Sequence, residues 1–376
     1  MSRMTSRRLR ALPHLFVAAV AVLATALGAS VALGQDERWQ KTVAAAEQEG
    51  SLILMSQPNQ AARDYILREW AKAYPKITLS LSVLEPAQYI ARVRTERQAG
   101  KYLWDVALAG YVPAYTLAHD GAFDPVLDEF VDPEIKNPDL WGGWDDAFTD
   151  IAHRYVFAMS NYIAGPWFDA LHVAPGKVAQ LGLKVMLEPE YKGKTVWHDP
   201  TVLGSGQGYA YLLYDKLGRD GLKTLIVDQH AVLVHEMFQV VESMARGTGW
   251  IGIGPPVRSL IAPYAQAGVK TDIRAFGRSP EVNINAFGGS FLTVFNHRPH
   301  PNATRVFVNW LLSKDVQTGL AKALDQASRR RDVPQTAEAD SVPIPGAKYT
   351  APQREENIPK INEAAAYIAE LRKQIN

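Results

Sequence analysis

Residues 191–208 read YKGKTVWHDPTVLGSGQG: a basic turn, a short apolar strand, Asp199-Pro200, then a Gly/Ser cluster opening a helical pattern. A strand that feeds a glycine-rich turn and a helix is a unit of α/β sheet proteins. The turn leaves backbone N–H groups unpaired at the helix start, where an anion is favoured. Ser205, Gly206 and Gln207 are therefore candidate ligand donors, and Asp199 stands at the strand end beside them. The plainer reading is a helix cap that binds nothing, so the surroundings have to separate the two.

The same alternation recurs toward the N-terminus. Residues 52–55 (LILM) form a brief apolar run ending in Ser56-Gln57-Pro58-Asn59, a buried strand that delivers a polar loop. Residues 61–74 place Ile66, Trp70 and Ala73 on one face, the period of an amphipathic helix, and Pro75 stops it. Residues 77–83 alternate as a strand, 89–99 are helical with Gly100 as the stop, and 104–109 form a third strand. In parallel sheets ligands bind beyond the carboxyl ends of strands, which makes Ser56, Gln57, Asn59, Gly110 and Tyr111 candidates. Ordinary turn chemistry around Pro58 is the competing reading for the first three.

Arg3, Arg7, Arg8 and Arg10 precede an apolar run from Leu15 to about Gly34, and Ala32-Leu33-Gly34 supplies small residues for cleavage. Residues 1–34 are expected to be a cleaved secretory signal, with a cut after Ala32 as the other site and a membrane anchor as the other reading. The chain of 376 residues has no cysteine, which removes disulfides, thiolate metal sites, a cysteine nucleophile and a lipid-accepting cysteine. Lys plus Arg number 40 against 39 for Asp plus Glu, leaving no basic excess for a nucleic-acid partner. The remaining length exceeds what one core usually serves, so two lobes are expected.

Glu49-Gly50, a strand ending in Ser56, a helix closing on Tyr74-Pro75, a helix closing on Ala99-Gly100, then Asp105-Val106 and Gly110 resemble, in that order, the start of extracellular solute-binding proteins of ABC importers. Three later segments agree: Tyr191-Lys192-Gly193-Lys194 with Asp199-Pro200; His300-Pro301-Asn302-Ala303 with 307–313 (FVNWLLS); and Ser328-Arg329-Arg330 with Asp332-Val333-Pro334. The resemblance is to the ferric-ion, phosphonate, thiamine and sugar-phosphate branch. It implies an α/β fold of the two-lobed type II periplasmic binding class. Each lobe would be a mixed, mostly parallel sheet flanked by helices, with two crossover segments joining the lobes. The expected division is 35–154 and 289–376 in lobe one and 155–288 in lobe two, with 358–374 as a capping helix. The crossovers are placed near 155–162 and 283–291, which makes Asn161 and Asn285 candidates. The resemblance also implies a periplasmic monomer that meets a small ligand and a membrane permease, with no cofactor.

Ferric-ion binders of this branch hold the metal with adjacent tyrosines, and this chain has no Tyr-Tyr pair. The corresponding strand, 249–256 (GWIGIGPP), offers Gly254 instead. Tyr209, Tyr211 and Tyr214 do not converge on one helix and suit aromatic packing better. An organic anion at the turn fits the residues better than iron, with Arg258 as a neutralising charge or a solvated surface group. Gly247, Gly249 and Gly252 match a dinucleotide fingerprint, but a helical stretch precedes them and Pro255-Pro256 follows where a helix should open. His230 and His235 are spaced poorly for zinc. Neither a nucleophile with a base nor paired carboxylates stand out, although Asp105 and Asp199 near strand ends keep a hydrolase or lyase as an alternative. The expected function is capture by hinge closure, without catalysis.

Overall fold

The computed structural model describes residues 37–375 except 57, 58, 203, 256, 287–290, 325, 337–341 and 345. The expected signal segment 1–34 and the candidate Gln57 lie outside the described residues. The strands are β1 (Ser51–Ser56), β2 (Thr78–Val83), β3 (Val106–Ala109), β4 (Phe123–Asp124), β5 (Phe157–Ala158), β6 (Ser160–Ala164), β7 (Trp167–Asp169), β8 (Thr195–His198), β9 (Val232–Val234), β10 (Ile251–Ile253), β11 (Ile273–Ala275), β12 (Ile284–Ala286), β13 (Phe291–Phe295) and β14 (Ala327–Ser328). The helices are α1 (37–49), α2 (Gln60–Ala73), α3 (Pro86–Gln98), α4 (Tyr111–His119), α5 (Pro138–Trp141), α6 (Trp144–Ala147), α7 (Pro175–Leu181), α8 (Gln207–Lys223), α9 (Met237–Ala245), α10 (Val257–Leu260), α11 (Ala262–Gln266), α12 (Pro301–Leu311), α13 (Lys314–Leu324) and α14 (Ile358–Arg372).

Two sheets result. The first runs β2-β1-β3-β13-β4, with β5 beside β13; the second runs β11-β7-β10-β8-β9. β1 lies parallel to β2 and β3, since α2 and α3 carry the chain back between them, while β13 returns antiparallel to β3. β8 lies parallel to both β9 and β10. Between the sheets, β6 and β12 pair antiparallel, and β14 adds to the far side of β6. Chain order makes β6 and β12 the links: β5 belongs to the first sheet and β7 to the second, and the path returns from β11 to β13.

Each sheet has its own core. Around the first, α2 buries Ala62, Ile66 and Trp70, four residues apart, and Trp70 meets Phe307 edge-on at 5.3 Å between ring centres. Around the second, Trp197, Leu212, Leu213, Ile226 and Ile251 are buried. The C-terminal helix differs from the expected division. α14 puts Ala364, Ile368 and Leu371 into the second core, against α8, whereas the sequence reading grouped it with the first. Helical spacing marks an apolar face but not which core receives it.

Several residues that carried the family resemblance are structural ties. Glu49 accepts from the Asn302 amide and side chain and from the Ala303 amide, capping α12. Asp105 accepts from the Ile53 amide at 2.7 Å and from the amide and ring of His300, each at 2.8 Å. Arg330, fully buried, lies between Glu134 and Asp332 and also donates to the Leu312 carbonyl.

Candidate functional site: the start of α8

β8 ends in His198, and the turn that follows folds back over it. The Trp197 indole N–H donates to the Gly206 carbonyl at 3.2 Å, pinning the turn to the core. A Cβ on Gly206 would lie 1.7 Å from the His198 carbonyl oxygen, so only glycine permits this approach. Gly254, after β10, has φ +120°, and its Cβ position lies 2.8 Å from His198 Cβ and 3.2 Å from Ser205 Oγ. The two glycines thus press the α8 start, the β10 end and His198 together.

The hydrogen bonds of His198 fix its tautomer. Its Nε2 lies 3.0 Å from the His235 carbonyl, which can only accept, so Nε2 carries the proton. Nδ1 then accepts from Ser205 Oγ at 2.8 Å. Burial pushes the imidazole pKa below its ordinary value, which favours this neutral form. Ser205 consequently turns lone pairs, not its proton, toward any other partner. The Ser–His pair has its outer nitrogen on a backbone carbonyl rather than a carboxylate. His198 was missed from sequence because its orienting partner lies 37 residues away; its position directly before Asp199-Pro200 was the available signal.

The first sheet reaches this point through α4. Gly110 is its N-cap, and Tyr111, its first residue, donates its phenol O–H to Gln207 Oε1 at 3.2 Å. Burial pushes the Tyr111 pKa up, keeping it a neutral donor. Tyr111, Ser205, Gly206, Gln207 and Gly254 are therefore brought together, with His198 beneath them. Ser56 ends β1, buried, one strand from Leu108 of β3.

Other candidates have local duties. Asn59 is the N-cap of α2, its Oδ1 accepting from the Ala62 amide at 2.9 Å. Asp199 accepts from the Thr201 amide and hydroxyl and pairs with Arg372 of α14. Arg258 lies over the Trp167 ring at 5.1 Å. Asn161 on β6 and Asn285 on β12 each bury a side-chain oxygen that has no hydrogen-bond partner among the described residues. Since Asn285 pairs with Ile163, two residues from Asn161, both lie on one face of the linking ladder. Tyr209 is buried in the second core, Tyr211 accepts from Lys360, and Tyr214 donates to Glu363. Among the described residues no three His, Asp or Glu side chains gather as metal ligands, and no helix is long and apolar enough to cross a membrane.

Residues 65–344 match the family model for bacterial extracellular solute-binding proteins. The chain belongs to that family. No curated protein matches it by sequence. Among solved structures, iron-bound HitA from Pseudomonas aeruginosa is similar with a TM-score of 0.61 and 13% identity, covering 85% of this chain and 99% of that one. Trichodesmium FutA with iron and citrate gives 0.61 at 15%, covering 87% and 99%. AfuA from Actinobacillus pleuropneumoniae with fructose-6-phosphate gives 0.55 at 16%, covering 87% and 98%. At these identities the likeness establishes the two-lobed type II fold. Tyr111, on the first sheet's α4, and Gln207, at the start of the second sheet's α8, are hydrogen-bonded to each other.

Proposed function

We propose that this solute-binding protein serves an ABC importer, closing its lobes on a small organic anion at the α8 start and passing it to a membrane permease. The Tyr111–Gln207 hydrogen bond carries the reading, because it joins the first sheet's α4 to the second sheet's α8. A ligand held by both sides favours the closed state; one bound equally well open or closed would shift nothing. The backbone amides of Ser205 and Gly206 and the side-chain NH2 of Gln207 supply the anion contacts, the Ser205 hydroxyl proton being held by His198; Ser56, Gly110 and Tyr111 face them, and Asn161 and Asn285 offer acceptors from the linking strands. The protein acts as a periplasmic monomer after loss of 1–34 and catalyses nothing. Ferric ion is the weaker cargo, since Tyr209, Tyr211 and Tyr214 are engaged elsewhere. Thermal unfolding of the mature chain with phosphate esters, phosphonates, thiamine forms, carboxylates and ferric citrate tests this. Stabilisation by an organic anion that Ser205→Pro abolishes supports the proposal, and stabilisation by ferric ion alone refutes it.

A further inference from the structure

The ladder that links the two sheets turns one face to the cores and the other away from them. Side chains alternate along β6 and β12, so Ser160 and its register partner Ser328 share a face with Ile284. Both cores use that face. Ser328 Oγ donates to Gln317 Oε1 of α13 at 2.8 Å, and Ile284 packs in the second core, its Cδ1 3.4 Å from where a Cβ on Gly208 of α8 would lie. Asn161, Ile163 and Asn285 lie on the opposite face. Asn285 stands opposite Ile163, which makes it a diagonal neighbour of Asn161, about 7–8 Å away. Ile163 is buried, and the Oδ1 atoms of both asparagines are buried with no hydrogen-bond partner among the described residues. Asn283, two residues before Asn285, shows the contrast: its Nδ2 donates to the Gly277 and Ser279 carbonyls, an ordinary turn duty. A buried acceptor without a donor is costly, so two of them on one face call for donors from a bound molecule. Ser205 Oγ adds a third acceptor at the α8 start, since its proton goes to His198 Nδ1.

Resting on the α8-start reading above, we propose that the solute is a hydroxylated organic anion, its charged end at the α8 start and its hydroxyl groups donating to Asn161 Oδ1 and Asn285 Oδ1. Hydroxyl donors suit these oxygens better than an ammonium group does, because an amide oxygen brings no countercharge to a desolvated cation. Asp199, the carboxylate nearest the α8 start in sequence, is taken by Thr201 and Arg372. An anion without hydroxyl groups would leave the ladder oxygens unpaired on closure, so they select against it.

Calorimetric titration of the mature chain with matched anions tests this: glycerol 3-phosphate against propyl phosphate and 3-aminopropyl phosphate, and gluconate against hexanoate. The hydroxylated member is expected to bind at least tenfold more tightly than its matches. Asn161→Leu and Asn285→Leu should each cut that preference about tenfold, without lowering the midpoint of ligand-free urea unfolding, since each removes an unpartnered oxygen. A merely structural asparagine would do the reverse, lowering the midpoint and leaving the preference intact, and that result would overturn the proposal. Tighter binding of 3-aminopropyl phosphate would overturn it too, by assigning an ammonium group. Equal binding of a hydroxylated anion and its match, lost in Ser205→Pro, would overturn this inference and leave the α8-start reading standing. Binding by none of the five would overturn both.

Discussion

At Ser205 the hydroxyl proton is committed to His198, so the chemistry of the α8 start depends on an imidazole that sequence inspection passes over. The helix-start donors were legible because Gly and Ser at a strand-to-helix turn have few other uses; the His198–His235 contact is long-range and was not. Asn59 was legible in the plainer sense, as an Asn immediately before a helix. Burial lowers the His198 pKa, so the unfolded chain takes up the proton first as pH falls. Stability is therefore expected to decline as pH drops below about 6.5, levelling off below the folded pKa. Urea unfolding between pH 8 and pH 5 should show this decline, and His198→Asn should flatten it. Gly206→Ala must displace the His198 carbonyl, so it should cost about 2–4 kcal/mol by the same urea measurement.

At the level of elements, Glu49, Asp105 and Arg330, three of the residues that suggested the family, tie elements of the first sheet's layer together. Asp105, considered as a catalytic carboxylate, is consumed by the Ile53 and His300 amides and the His300 ring. Asp105→Ala leaves buried donors without an acceptor and should destabilise the chain by about 3 kcal/mol, read from the midpoint of denaturant unfolding. Strand and helix positions between 52 and 109 were legible because each has a clear period and a stop at Pro75 or Gly100. The place of α14 was not, since its apolar face matches either core until Arg372 is seen paired with Asp199, 173 residues away. Leu371→Ala should cost roughly 2–5 kcal/mol in the same unfolding measurement.

Across the whole molecule, the proposed closure would use the β6–β12 ladder as its hinge and the Tyr111–Gln207 hydrogen bond as a clasp between the two sheets. Tyr111→Phe keeps the ring in its buried place and removes one cross-lobe hydrogen bond. Ligand affinity should fall by about 1 kcal/mol, roughly fivefold by calorimetry, with little change in ligand-free stability. The two-lobed plan was legible in the order of motifs, whereas ligand identity was not, because the proposed site draws side chains from both sheets and both linking strands. Small-angle X-ray scattering of the mature chain, with and without the organic anion that stabilises it most, addresses closure directly. The account predicts a smaller radius of gyration with the anion in the wild type and no such change in Ser205→Pro. An anion that binds tightly while leaving the radius of gyration unchanged would contradict capture by closure.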